Sequence, residues 1–489
     1  MKIPLFLALI LMILKLNGQN VGIGTNSPMN PLHIISLVGD PVRIEGLQSG
    51  QETDSILTIN NEGVVKKRFS VSSSGGWGLT GNSGVNPALN FIGTINNSRL
   101  AFRTNNLPSG FIEPDPNKRN NAFGKGSQEM PGITGMGNNS FGYQTLSKLN
   151  VGSGNIAIGD SVLYNNQAGS NNVGIGANAL EENLGAENIA IGSKALSKNI
   201  GGTNNIGIGV GTLSENQYTF NNVAVGGEAL PVNKASDNIA LGYRAGYSNT
   251  TGIQNTAVGT FAMAANISGN NNTYLGYQSA QIQETGNNNT LIGSFSGVSF
   301  SGGNDNTFLG SGSNTLSSLL PISNSTALGA NAIVDRSDMV KLGNNSITRL
   351  EASVSLTTPS DGRIKANIRE NIPGLTFIKL LRPVSYNYDL TKWNSIIGVN
   401  PSNVKHPAYY EKEKIVYSGF IAQEVYEASK QAGYDFSGVT APLNEKGIYG
   451  LAYAEMVVPL VKAVQELNSL IEKQQKEIEY LKEQILLKK

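Results

Sequence analysis

The sequence has 489 residues, 58 of them glycine, with no cysteine, two histidines and a formal net charge of +1, a length suited to roughly three domains. Near-neutral charge gives no electrostatic case for nucleic acid as a partner. Disulfides and thiolate metal sites are excluded, and His33 and His406 stand too far apart in sequence to suggest an imidazole metal site or a Ser-His-Asp triad. No metal and no cofactor is expected.

Residues 1–18 begin with one cation, Lys2, continue as an apolar run from Ile3 to Leu14 and end at a small Gly18. That is the pattern of a secretory signal peptide cleaved between Gly18 and Gln19. The run is short for a membrane span, and no other segment is long and apolar enough to cross a bilayer. The mature chain is therefore expected to be secreted or displayed on the outer cell surface. Residues 19–110 read as a β-rich stalk, with NVGIG at Asn20–Gly24 and a Gly/Asn-rich stretch from Trp77 to Thr94. Leu107–Asn121 holds three prolines and no apolar period, which predicts a linker.

Residues 111–343 repeat. The phrase Asn-x-x-(Ile/Val/Leu)-Gly places its glycine at 142, 159, 176, 192, 209, 226, 242, 259, 276, 293 and 310, in steps of 16 or 17 residues, with Phe141 at the apolar position of the first copy. In NNVGIG (Asn171–Gly176) Val173 and Ile175 alternate on one face about Gly174, which predicts a short strand. A second apolar position follows four residues after the glycine, as Leu146, Leu163, Leu180, Leu196, Leu213, Leu230 and Met263. Each unit is thus expected to hold two short strands and two turns, with the glycine at a tight corner. Alone it cannot bury a core; stacked, the units can. The asparagine four before the glycine, from Asn155 to Asn306, suits an amide ladder through the stack. GIGVG at Gly207–Gly211 falls within the repeat and, without a following helix, is no phosphate loop.

These repeats resemble the left-handed β-roll heads of trimeric autotransporter adhesins, although the unit here is longer. The resemblance implies a left-handed parallel β-roll and a homotrimer. Its uncharged Asn/Thr/Ser surface would suit a cell-surface glycan or a neighbouring surface as a further partner. The repeats offer no recurring close pair of carboxylates, so glycoside hydrolysis is disfavoured.

A neck over residues 344–357 leads into a different composition. After Ser360 come 32 of the 71 charged residues, in only 129 positions. This marks a C-terminal α+β domain over 358–458. From Val457 the pattern is heptad: Val457, Val464, Ile471, Ile478 and Ile485 on one seam, Leu460, Leu467 and Leu481 on the other, with Gln474 interrupting. Residues 459–489 are expected to form a coiled coil. β-branched residues at one seam and leucine at the other suit a dimer by themselves, whereas the larger β-roll favours a trimer.

The stretch TTPSDGRIKANI, Thr357–Ile368, sets a hydroxyl, an acid and two cations around one glycine. An Asp361-Gly362 hairpin turn would pair Ser360 with Arg363 and bring Lys365 onto the same face. Lysine serves a serine as base only when neutral, so its pKa has to fall from about 10.4 to roughly 7–8. Burial lowers it, and a neighbouring cation such as Arg363 would add to that. A solvated polar hairpin is the alternative.

SDGRIKANI (Ser360–Ile368), LLRPVSYNY (Leu380–Tyr388), GFIAQEV (Gly419–Val425) and YAEMVVPLVKAVQEL (Tyr453–Leu467) resemble, in that order, the intramolecular chaperone auto-processing domain of phage tailspikes and endosialidases. The resemblance implies a domain that trimerises, assists a β-helical fibre to fold and then releases itself. Ser360 would be the nucleophile and Lys365 its base, with Asp361, Arg363 and Asn367 as motif residues of no assigned role and Gln423 and Glu424 read as structural. It does not decide between a self-cleaving serine endopeptidase, cutting on either side of Ser360, and a domain that trimerises without cutting.

Overall fold

The computed structural model describes residues 91–488, apart from 130–131, 317–320, 399–406 and 444–446, together with Ser27, Asn86 and four short strands nearer the N-terminus. The expected signal peptide, much of the expected stalk and His406 lie outside the described residues. The chain divides into two units, Met1–Gly93 and Thr94–Lys489. In the first, Val21–Ile23 pairs in parallel with Leu32–Ile34, and Ile56–Ile59 pairs antiparallel with Val65–Arg68.

The second unit opens with an antiparallel hairpin, Leu100–Thr104 with Leu107–Ile112, whose second strand also pairs antiparallel with Asn121–Phe123. The predicted linker therefore begins as a strand. Its unpaired edge would otherwise leave the end of the stack open, and the hairpin covers it. From Asn121–Phe123 to Val340–Leu342, fourteen short strands stack in parallel as one face of a β-solenoid of about 13 turns, each turn about 17 residues. The mainly β fold and its repeat length agree with the sequence.

One detail goes beyond the sequence reading and a second differs from it. First, the strands point their middle residue inward: Ala157, Gly174, Ala190, Gly207, Ala224, Ala240 and Ala257 face the core, and the residues on either side, Ile, Val or Leu except for Thr256, face out. A coil of this size has too little interior for three large residues from one strand. Second, the apolar position after the glycine sits in a turn rather than a second strand. Leu163, Leu180, Leu196 and Leu213 are fully buried there with φ between 48° and 52°. Among the described residues a second strand occurs only at Asn314–Thr315 with Ile333–Val334.

Each corner glycine is forced. Gly209 has φ 132°, and a Cβ there would sit 2.7 Å from the carbonyl carbon and oxygen of Gly226 on the next turn. The amide ladder is present and longer than expected. From Asn138 to Asn306, each backbone N–H donates to the Oδ1 of the preceding asparagine at 2.9–3.1 Å. A second buried column, Asn166, Asn183, Asn199, Asn216, Asn233, Asn249 and Asn266, runs parallel to it with side-chain amides bonded from turn to turn. Buried amides are costly unless paired. Among the described residues only Gln128 Oε1 is left as a buried side-chain polar atom with no partner.

After the solenoid comes a small α+β region. Its elements are α1 (Leu375–Ile378), the strand Val384–Tyr386, α2 (Leu390–Ile396), α3 (Pro407–Lys414), the strand Tyr417–Gly419, α4 (Ala422–Gln431), the strands Val439–Thr440 and Gly450–Leu451, and the 31-residue α5 (Val457–Leu487). Phe377, Val425, Ala428, Phe436 and Met456 form its core. Glu466 of α5 accepts a hydrogen bond from Leu375 N at 2.7 Å, which holds α1 on the long helix. Beyond Ala463 the seam positions of α5 have no cover: Val464, Leu467, Ile471, Ile478, Leu481 and Ile485 are all exposed.

Lys412 on α3 ties this region to the end of the solenoid. Its Nζ donates to the carbonyls of Asn345 and Ile347 at 2.6 and 2.8 Å and lies over the rings of Tyr388 and Trp393. Only 9% of the residue is exposed. Burial, with a smaller contribution from Lys341, pushes its pKa below the ordinary lysine value.

Candidate active site

From Ile347 to Asn371 every residue is exposed, and the only regular element is a 3₁₀ turn at Gly362–Ile364. The site sits in that turn. Asp361 caps it: its Oδ1 accepts from Arg363 N at 2.8 Å, satisfying a donor that the turn itself leaves open. A side-chain cap of this kind competes with the hairpin that Asp-Gly also allows, and here the cap prevails, so the expected hairpin is absent. The result for the serine is nevertheless the expected meeting. Lys365 closes the turn with its N–H bonded to Gly362 O, and its Nζ donates to Ser360 Oγ at 2.7 Å.

Arg363 does not stand beside Lys365 as a bare cation. Its guanidinium forks onto Asp361, with Nε at 3.1 and 2.9 Å from the two carboxylate oxygens and Nη2 at 2.5 Å from Oδ2. That pair holds the Asp361 carboxyl below its ordinary range, through the Arg363 side chain first and the Arg363 backbone N–H second. Asn367 follows at φ 55°, a conformation asparagine tolerates better than most residues. It ends the run of the turn and sends the chain toward α1.

The motif from Ser360 to Asn367 is thus a self-contained turn. A capping acid is clamped by the following arginine, and the serine and lysine meet across it. Residues 360–434 match the family model described as the chaperone of endosialidase. No curated protein matches the chain. The chaperone-of-endosialidase segment starts at Ser360 itself and runs through α1, α2, α3 and α4, and a β-solenoid whose last strand is Val340–Leu342 precedes it.

Gln423 and Glu424 lie within this segment on α4, both exposed. Glu424 receives Arg382, with Nε at 3.1 Å from Oε2, which ties α4 to the strand at Val384–Tyr386. Among the described residues no hydrogen bond joins Gln423 or Glu424 to the Ser360–Lys365 pair. Sequence reasoning missed Lys412, whose only sequence signal is a cation in a lysine-rich helix. It also missed the second asparagine column, although that column keeps the same period as the first.

Proposed function

We propose that this chain is an exported, homotrimeric fibre or adhesin whose C-terminal domain assists assembly and then cuts the chain beside Ser360. The observation that carries the cleavage reading is the 2.7 Å contact between Ser360 Oγ and Lys365 Nζ on a rigidly capped turn within a long exposed connector. A scissile bond has to lie on an accessible strand of chain, and this one does. In the proposed step neutral Lys365 takes the Ser360 Oγ proton while Oγ attacks the Pro359 carbonyl. The Pro359–Ser360 C–N bond breaks, the proton passes to the departing amine, and the resulting ester is hydrolysed by water. Residue 359 is left as a carboxylate and Ser360 as a new N-terminus. Attack on the preceding carbonyl closes a larger, less strained ring than attack on the serine's own.

Trimer assembly is favoured by two uncovered apolar surfaces. One is the α5 seam. The other is the outward face of the solenoid strands, where neither flanking position on any of the fourteen strands carries a charge. Ile156, Ile158, Ile239, Leu241, Leu275 and Leu309 are 37–46% exposed there. A surface of this length without one ion is unusual for a wall facing water. A parallel stack pairs distant segments and folds slowly. Chains held together at α5 would share a register and a raised local concentration.

A second reading has its own observation. Lys365 is exposed in the single chain, and lysine becomes a base at neutral pH chiefly when it is taken out of water. If no neighbouring copy covers the turn, the domain trimerises without cutting. Expression of the full chain and its Ser360→Ala variant, followed by intact mass of each denatured band, separates the two. The cleavage reading predicts a fragment beginning at Ser360 in the wild type and none in the variant. A folded wild type that stays full length supports the non-cutting domain.

A further inference from the structure

On four consecutive turns of the solenoid the two residues after the corner glycine supply an aromatic ring. Tyr243 and Tyr277 take the first position; Phe261 and Phe295 take the second. Tyr243 and Phe261 lie 5.6 Å apart between ring centroids, and Tyr277 and Phe295 lie 5.3 Å apart, both pairs edge to face. Tyr243, Tyr277 and Phe295 are 43–46% exposed. Main-chain bonds fix the spacing: Phe261 N donates to Tyr243 O at 3.0 Å and Phe295 N to Tyr277 O at 2.8 Å. The two phenylalanines stand at φ 58° and 59°, a left-handed conformation that bulky residues seldom adopt. At Phe295, which is 43% exposed, a phenylalanine is unfavourable both for the backbone and for its contact with water, so burial does not explain it.

The corner is a solvent-facing edge, distinct from the uncharged strand face. On other turns the same two positions carry Asp160 and Ser161, Ser193 and Lys194, or Glu228, and Tyr143 after Gly142 is an isolated ring with no aromatic at these positions on the next turn. An interface between copies running the length of the rod would not leave such charges along its line. The aromatic rows are therefore a local feature of turns 242–295. Arg244, at one end, lies over Tyr243 and Tyr247 and is paired with Glu228 at 2.6 Å, so the patch has no free charge at that end. Thr260, Gln278 and Ser294 place hydrogen-bonding groups between the rings.

We infer that this aromatic ladder binds a linear, uncharged, β-linked polysaccharide laid along the rod. Aromatic rings accept the C–H face of a pyranose, and the intervening hydroxyl and amide groups meet its hydroxyls. Turns recur at about 4.8 Å, close to the advance of one pyranose in an extended β-linked chain, so successive sugars meet successive turns in step. A ladder without a pocket selects an extended chain over a terminal sugar. This goes beyond the assembly reading and is independent of cleavage.

The test is co-sedimentation of the full chain with microcrystalline cellulose and with chitin, alongside its native mass. The variant Tyr243→Ser/Phe261→Asn/Tyr277→Ser/Phe295→Asn uses residues that the repeat itself places at these positions, Ser193 and Asn178 among them. It should keep the native mass and lose retention by about tenfold or more, equivalent to at least about 1.4 kcal/mol of binding. Tyr218→Ser, which removes an exposed ring elsewhere on the solenoid, should leave retention unchanged. Wild type that sediments with neither polymer overturns the inference, as does equal loss in the Tyr218 control. A ladder variant that falls apart into single chains also overturns it, because the corner would then be a contact between copies.

Discussion

Gly209 shows how much the stack asks of one residue. Its φ of 132° is closed to residues with a side chain, and its missing Cβ is the space taken by the Gly226 carbonyl. Gly209→Ala is expected to lower stability by about 1–3 kcal/mol through combined strain and overpacking, read as a fall in the urea midpoint. An unchanged midpoint would mean that the turns do not stack this closely. Asn205 is the polar counterpart. Its amide donates to Thr219 O at 2.8 Å, and its Oδ1 accepts from Asn222 N at 3.1 Å. Asn205→Ala leaves buried groups unpaired at about 1–3 kcal/mol each, so it should destabilise more than removal of the exposed Asn288 side chain. The glycines and the first asparagine column were legible because a strict period exposes them. The Ser360–Lys365 contact was legible only as an outcome. Asp361-Gly362 is compatible with a hairpin or a capped turn, and the local bond from Asp361 to Arg363 N decided between them.

At the scale of elements, Ile-Ala-Ile and Val-Gly-Ile strands read as apolar alternation, but alternation does not say which face is inside. Interior volume does. Where a strand turns a large residue inward, as at Leu291, the turn position that elsewhere carries leucine shrinks to Gly297, whose Cβ would collide with Leu291. Close packing enforces that exchange between segments, and it is not a property of either segment alone. The Lys412 tether was equally hidden, since its partners are main-chain oxygens 65 and 67 residues earlier. Hydrogen bonds to charged groups contribute about 1.5–3 kcal/mol, so Lys412→Met should lower the stability of the C-terminal region by about that amount at neutral pH. The pH dependence has a definite sign. The folded pKa lies below the unfolded value, so between the two the unfolded chain holds more protons and stability rises with pH. The rise belongs to the alkaline window below the ordinary lysine value of 10.5. Urea midpoints across that window should climb in the wild type and climb less in Lys412→Met. Parallel curves would show that Lys412 is not the group responsible.

For the whole molecule, the solenoid presents one outward apolar column along its entire length and a second from Ile156 to Ile239, and α5 presents a bare seam beyond Ala463. Charge placed in the columns should act on assembly more than on the coil itself, because these side chains already face outward. Ile189→Asp with Ile206→Asp is expected to leave the β circular dichroism intact and to shift the native mass to single chains. The number of copies was not legible from the heptads, whose seam residues alone suit a dimer; the solenoid columns, being the larger surface, carry the trimer reading. The most direct measurement is the native mass of the Ser360→Ala full chain by sedimentation equilibrium, where assembly is scored with the chain uncut. The account predicts three chains per particle. A stable single chain, with columns and seam still exposed to solvent, would contradict it.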